Sequence, residues 1–184
     1  MHARKPIAAV ASFADRKRVP RKAPGGLERA AAPDAYRGDR QTVLRWLNNA
    51  LATELVCVLR YRLHRSMARG LGADRIAEEF LLHADEELSQ ADMIAERIVQ
   101  LGGEPDFAPD TLQARSHLQY VSVASISEMV RENLAAKRLA MESYVAFLQY
   151  LGEDDPTTRR MLESILSVEQ AHADELTELL QDGG

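Results

Sequence analysis

Polar side chains, most of them of the types that bind metal ions, interrupt four apolar stripes of this sequence. Apolar residues recur in each stripe at the three- and four-residue spacing of one helix face, and each stripe carries one or two polar residues near its middle. A carboxylate that faces a protein core costs several kcal/mol unless it is paired or bound to a metal. Four stripes that share this feature predict one common site. The interrupting residues are Glu54, Glu87, Gln90, Lys137, Glu169 and His172.

The two halves of the sequence repeat this arrangement. Tyr61 follows seven residues after the polar residue of the first stripe, and Tyr144 follows seven residues after that of the third. Residues 87–90 read Glu-x-x-Gln, and residues 169–172 read Glu-x-x-His. Residues three apart on a helix lie on one side, so each pair can face the same ion. Such repetition is typical of a two-metal site between two helical hairpins.

Glycine, proline and capping residues divide the chain into four predicted helices. Two short connections predict antiparallel hairpins, whereas residues 103–124 form a longer link that contains Pro105 and Pro109. A link of this length can run along a whole bundle, which predicts an all-α four-helix bundle with one long crossover connection. The predicted helices run from about Asp39 to Gly70, from Asp74 to Leu101, from Ser125 or Ser127 to Gly152, and from Pro156 to Gln181.

Charge is distributed unevenly along the 184 residues. Residues 1–40 carry ten basic and four acidic side chains, a net charge of +6, and the rest of the chain carries −11. Four prolines and a Gly-Gly pair accompany the basic residues, so we predict a flexible basic arm over residues 1–38 and a bundle over 39–184. The arm is either a solvated tail or a segment that touches nucleic acid or a partner protein.

Composition narrows the class of protein. Apolar residues make up 46% of the sequence and charged residues 28%, as in ordinary globular domains. No apolar run approaches the roughly 20 residues of a membrane span. Cys57 is the only cysteine, so the chain forms no internal disulfide. This is compatible with a reducing compartment, and we predict a cytoplasmic protein without a membrane partner.

Between about residues 41 and 180 the sequence resembles the ferritin-like superfamily, in particular bacterioferritin and its Dps-like relatives. Spacing, order and flanking residues agree together, and residues 1–38 are not covered. The resemblance implies the ferritin-like form of the bundle, a two-iron site that oxidises Fe²⁺, and an oligomeric cage. The matching segments are Leu47–Tyr61 (LNNALATELVCVLRY), Ala84–Pro105 (ADEELSQADMIAERIVQLGGEP), Met129–Tyr144 (MVRENLAAKRLAMESY) and Asp154–Leu176 (DDPTTRRMLESILSVEQAHADEL).

The resemblance assigns roles to individual residues. Glu54 corresponds to the carboxylate that binds the first iron, and His172 to the imidazole that binds the second. Glu87 and Glu169 correspond to the two carboxylates that bridge both irons. Tyr61 corresponds to a tyrosine beside the metals. We therefore expect Glu54, Glu87, Glu169 and His172 to be the metal ligands.

Two positions depart from the family pattern. Gln90 stands where the family has histidine, and Lys137 where it has glutamate, so each iron loses one terminal ligand. The amide oxygen of Gln90 is a weak donor, and an ammonium has no lone pair at all. Three carboxylates and one ammonium carry a net charge of about −2, which suits one divalent ion. Alternatively, Lys137 replaces a metal in an ion cluster with Glu54, Glu87 and Glu169, which is our preferred hypothesis. In a third arrangement Lys137 turns outward.

Two further residues bear on the bound groups. His83 lies one turn before Glu87 on the inward face. Such a histidine is more often a hydrogen-bonded core residue than a ligand. Leu88 stands about where bacterioferritin has its haem-ligating methionine, so we expect no haem.

These observations predict a subunit for iron binding, storage or detoxification. Its ferroxidase activity is expected to be impaired or lost because Gln90 and Lys137 replace two metal ligands. We expect a homo-oligomer, and a cage by the resemblance. A second possibility is a non-catalytic structural subunit that assembles with a paralogue whose site is complete. A third is a Dps-like DNA-protecting protein that holds nucleic acid with the basic arm.

Overall fold

The computed structural model describes residues 36, 38–70 and 73–182. Within these residues the chain is helical, and the four long helices are those that the sequence predicts. Their ends lie within a few residues of the predicted bounds. The helices are α1 (Arg40–Met67), α2 (Ala73–Gln100), α3 (Leu112–Arg115), α4 (Ile126–Leu151) and α5 (Pro156–Asp182).

Side chains satisfy the free backbone N–H groups at the start of three long helices. Asp39 caps α1 by accepting hydrogen bonds from the backbone of residues 41 and 42. Ser125 and Glu128 form a reciprocal capping box at the start of α4, as their spacing predicts. Asp155 Oδ1 accepts from the backbone N–H of Thr158 at 2.9 Å, so that α5 begins directly behind it. Local sequence therefore fixes where these elements begin.

The connection between α2 and α4 runs along α1. Asp106 donates its backbone N–H to Asn48, and Thr53 lies 3.3 Å from a ring nitrogen of His117. Arg60, about two turns further along α1, donates to the carbonyl oxygen of residue 119. The link thus follows α1 from one end of the bundle to the other, as predicted. The short helix α3 within it was not predicted, because its four residues carry no helical period.

Polar contacts fix the directions of the helices that pack against each other. His83 of α2 contacts Glu175 of α5, and Arg97 of α2 contacts Asp155, which directly precedes α5. Residue numbers therefore fall along one helix as they rise along the other, so the two helices are antiparallel. His64 and Glu54 of α1 contact Asn133 and Tyr144 of α4, respectively, so this pair is antiparallel as well. The predicted four-helix bundle with one long crossover connection is therefore confirmed. Among the described residues, no helix combines the length and apolar character that a bilayer span requires.

The predicted apolar stripes face inward and form two core clusters. One cluster contains Leu47, Leu51 and Ile94, and the other contains Phe80 and Met129. The interrupting polar residues lie in the stripes between these clusters and are themselves buried. The bundle thus holds a polar layer within an apolar core.

Residues 36 and 38 are the only described part of the predicted arm. The Tyr36 hydroxyl donates to Asp155 Oδ2 at 3.1 Å, which attaches this point of the chain to the start of α5. The remainder of the predicted arm lies outside the described residues.

Candidate metal centre

The polar layer brings together side chains from all four long helices. Glu54 comes from α1, Glu87 from α2, Lys137 from α4, and both Glu169 and His172 from α5. Each exposes no more than 2% of its surface. Lys137 exposes 0%, so its side chain does not turn outward to solvent.

The Lys137 ammonium lies between the two carboxylates that the resemblance assigns as metal bridges. Nζ donates to Glu169 Oε1 at 2.7 Å and also hydrogen-bonds Glu87 Oε1. Glu54, the third carboxylate of the predicted cluster, instead accepts a hydrogen bond from the Tyr144 hydroxyl. The ion cluster therefore joins one ammonium to two carboxylates, and Glu54 is held from its other side.

Burial raises the pKa of Glu54 well above its usual value, and the charges of Glu87 and Glu169 raise it further. The protonated form of Glu54 can donate a hydrogen bond to Glu87, while Tyr144 donates to Glu54. Tyr144 was assigned no role from the sequence. Its position seven residues after Lys137 was the available signal, because it mirrors the spacing of Tyr61 after Glu54.

Charge pairing separates the pKa values of the two carboxylates that contact Lys137. Burial alone would raise the pKa of Glu87, but the Lys137 ammonium and hydrogen bonds from neighbouring groups hold it below the usual range. Burial would also lower the pKa of Lys137, and the Glu87 and Glu169 charges keep it above its usual value. Burial and the Glu87 charge raise the pKa of Glu169 to about 7. The stable core of the cluster is therefore the ion pair of Lys137 with Glu87.

The raised pKa of Glu169 predicts a pH-dependent stability. Because the folded protein holds this proton more tightly than the unfolded chain does, the stabilisation is complete below pH 4.5 and is lost as pH rises through 7. Relative to the parent, Glu169→Gln should gain about 3 kcal/mol of unfolding free energy between pH 4.5 and pH 8. Urea denaturation across this range measures the difference. Glu178→Gln, an exposed position on the same helix, is the matched control, and a pH-independent difference for Glu169→Gln would contradict the prediction.

His172 joins the cluster to the protein surface. Its Nδ1 lies 3.3 Å from Glu87 Oε1, and its Nε2 is 2.5 Å from Glu86 Oε2, whose side chain is 44% exposed. Burial lowers the pKa of His172, but the two glutamates outweigh burial and raise it above its usual value. Glu86 was not identified from the sequence, because it lies on the flank of the apolar stripe.

The remaining predicted residues surround the cluster without bonding to the ammonium. The Tyr61 hydroxyl lies 3.2 Å from His83 Nδ1, and the centre of its ring lies 5.7 Å from Lys137 Nζ. His83 is a fully buried, hydrogen-bonded residue. The two amide atoms of Gln90 are buried and have no hydrogen-bond partner among the described residues.

Two iron ions do not fit this donor set. The potential ligand atoms of Glu87, Glu169 and His172 lie within 4.8 Å of one another, which is a geometry for one ion. However, the ammonium takes one oxygen of each carboxylate, and it repels a cation and offers no lone pair. A pair of divalent ions also needs about four negative charges for neutrality, and this layer carries at most three carboxylates against one ammonium. The described side chains therefore form an ion cluster in which the Lys137 ammonium lies between Glu87 and Glu169.

Comparisons with known proteins extend over most of the bundle. Residues 45–183 match a family model described as a ferritin-like domain. The bacterioferritin of Mycobacterium avium is 30% identical over 145 residues, covering 76% of this chain and 84% of that protein. The bacterioferritin of Rhodobacter capsulatus is 29% identical over 143 residues, covering 75% and 81%.

Solved structures share the fold. A dodecameric thioferritin, the bacterioferritin-related protein of Bacteroides fragilis, superposes with a TM-score of 0.75 at 26% identity, covering 78% of this chain and 87% of that one. Dps from Thermosynechococcus elongatus superposes with a TM-score of 0.74 at 22% identity, covering 77% and 91%.

Proposed function

Because the chain belongs to the ferritin-like family, we propose that it is an iron-storage subunit in which an ammonium–carboxylate cluster has replaced the paired-iron site. One observation carries this proposal, the double hydrogen bond of Lys137 Nζ to Glu87 and Glu169. These two carboxylates are the ones that would bridge the irons. A cation held between them performs the electrostatic part of a metal's role and supplies none of its redox chemistry.

The proposed consequence is a subunit that oxidises Fe²⁺ poorly. Oxidation at this site would require iron, the substrate, to be held by the buried carboxylates and imidazoles. Gln90 offers a weak neutral donor where an imidazole is expected, and the Lys137 ammonium repels the incoming ion. The residues of the polar layer therefore pair with one another instead of binding iron, and their ion pairs hold the helices together.

Assembly involves the surface of the subunit, whereas the altered site is buried. Large exposed apolar side chains are common on the described surface, and they favour contacts between subunits. We therefore propose a homo-oligomeric cage. We place it in the cytoplasm because a single cysteine is compatible with a reducing compartment. The exposed side chains include Leu59, Leu82, Leu88, Met93, Val99, Phe107, Leu139, Val145 and Tyr150.

A second candidate is a structural subunit that assembles with a complete-site paralogue. The observation in its favour is that the bundle and its caps are intact although two metal positions are changed. Isolation of the native oligomer from its cell, followed by mass spectrometry of its subunits, separates the two candidates. Haem binding is not expected at Leu88, and DNA protection by the basic arm remains a prediction.

Iron loading tests the proposed function directly. Crystals loaded anaerobically with Fe²⁺ should show no pair of anomalous peaks between Glu54 and His172, and the aerobic Fe²⁺ oxidation rate should be close to that of buffer. The Mycobacterium avium bacterioferritin, treated identically, is the reference for an active relative. Two iron peaks within the polar layer, or oxidation as fast as that of the reference, would refute the proposed cluster.

A further inference from the structure

A four-residue sequence, His-Ala-Asp-Glu, occurs once on α2 and once on α5. It covers residues 83–86 and residues 172–175. Both histidines are buried, and both alanines are too. The two imidazole rings stack with their centres 4.0 Å apart and their planes 25° apart. The antiparallel helices thus meet at the two copies of this sequence.

Each histidine pairs with the glutamate of the other copy. His83 Nε2 lies 2.8 Å from Glu175 Oε2, and His172 Nε2 lies 2.5 Å from Glu86 Oε2. Both glutamates are partly exposed, with side-chain exposures of 45% and 44%. Each imidazole therefore turns one nitrogen from the core towards a carboxylate at the surface.

The His83–Glu175 pair has a third potential ligand beside Nε2 of the ring. Glu79 lies four residues before His83 on the same helix face, and its Oε1 is 4.0 Å from His83 Nε2. The corresponding position four residues before His172 is Val168. The potential ligand atoms of Glu79, His83 and Glu175 lie within 4.8 Å of one another. From this geometry we propose that these three residues bind one divalent transition-metal ion.

The observed separations suit such an ion. Tetrahedral zinc at about 2.0–2.2 Å from its nitrogen and oxygen ligands separates those ligands by about 3.3 Å. The distances from His83 Nε2, 2.8 Å to Glu175 and 4.0 Å to Glu79, lie on either side of this value. To bind one ion, the two partly exposed carboxylates have to rotate to the required spacing, and water has to complete the coordination.

Tyr61 provides the outer support that a metal-bound histidine needs. Its hydroxyl lies 3.2 Å from His83 Nδ1, and a hydroxyl both donates and accepts. Without metal, the contact of Nε2 with the Glu175 carboxylate favours the tautomer of a neutral ring with its proton on Nε2, and Tyr61 can then donate to Nδ1. When Nε2 binds a metal, the same proton moves to Nδ1 and is donated to the Tyr61 oxygen. The ring therefore stays neutral in both states, and a hydrogen bond on its second nitrogen orients it.

One imidazole and two carboxylates favour ions of the Fe²⁺, Co²⁺ and Zn²⁺ class over Mg²⁺ and Ca²⁺, which prefer all-oxygen sites. The site also differs from the polar layer, because none of its three ligands contacts Lys137. It therefore does not rest on the proposed function. A pair of irons in the layer would refute that function without affecting this site.

Zinc is a suitable probe, because it has no redox chemistry and a strong anomalous signal. Crystals of the full chain grown with one equivalent of Zn²⁺ should show an anomalous peak about 2.1 Å from His83 Nε2. In solution, competition with a chromophoric chelator measures the affinity. Glu79→Gln with Glu175→Gln should abolish the peak and weaken zinc binding on the order of tenfold or more. Both positions are partly exposed, so the double variant should fold, which thermal melting verifies.

Glu178→Gln serves as the matched control, because Glu178 is an exposed glutamate three residues beyond Glu175 on the same helix. It should bind zinc as the parent does. The proposal is overturned if the parent shows zinc only in the polar layer, if it binds zinc only at large excess, or if the double variant retains the peak or the affinity.

Discussion

Replacing Lys137 with methionine should lower the free energy of unfolding by about 3–5 kcal/mol near pH 8. Methionine is similar in length and fills the same space, but it leaves Glu87 and Glu169 facing each other without a cation. Both are fully buried, so each must either stay charged at high cost or take up a proton. Because protonation is easier at low pH, the loss should be smaller at pH 5 than at pH 8. Urea denaturation at the two pH values measures both effects.

Removing the negative charges as well should restore most of the lost stability. In the triple variant with Lys137→Met, Glu87→Gln and Glu169→Gln, no buried charge remains from the ion pairs seen in the parent. Replacing a whole buried ion pair by neutral groups is often close to neutral, whereas removing one partner is costly. A non-additive result of this kind is the signature of direct coupling. If Lys137→Met alone were as stable as the parent, the ammonium would not be what holds the carboxylates together.

The place of this cluster could be predicted from the sequence, because it depends on helix periodicity alone. A polar residue in the middle of an apolar stripe must face the core, and Lys137 and Glu87 do so. The bounds of the long helices followed in the same way from Gly, Pro and capping residues such as Ser125. Each of these inferences uses only residues that are near each other in sequence.

Contacts between helices were not predictable to the same degree. Whether Lys137 bonds Glu54 depends on the axial shift of α4 against α1. In the structure Glu54 accepts a hydrogen bond from Tyr144 instead. Which glutamate each of His83 and His172 contacts depends likewise on the register of α2 against α5. An apolar stripe fixes which side of a helix is buried, but the axial position follows from packing of the finished core.

Restoring both family residues should raise the ferroxidase activity of a chain that we propose oxidises Fe²⁺ poorly. In the variant with Gln90→His and Lys137→Glu, the layer regains four carboxylates and two imidazoles, which suits two divalent ions. We expect aerobic Fe²⁺ oxidation to rise by about 10-fold to 100-fold or more over the parent. Without metal this variant carries four buried carboxyl groups and no ammonium, so it should be less stable than the parent. Added Fe²⁺ under anaerobic conditions should raise its melting temperature, because binding stabilises only the folded state.

The single variants separate the two contributions to this rescue. Gln90→His alone keeps the ammonium between Glu87 and Glu169, so it should remain inactive. Lys137→Glu alone removes the ammonium but leaves one iron without its terminal imidazole, and should give weak activity at most. Residues that act as a unit are strongly non-additive in kinetics, so the double variant should exceed the product of the single effects. If Gln90→His alone restored full activity, Lys137 would have to leave the layer when iron binds, and the ammonium would be a gate for the metal rather than its replacement.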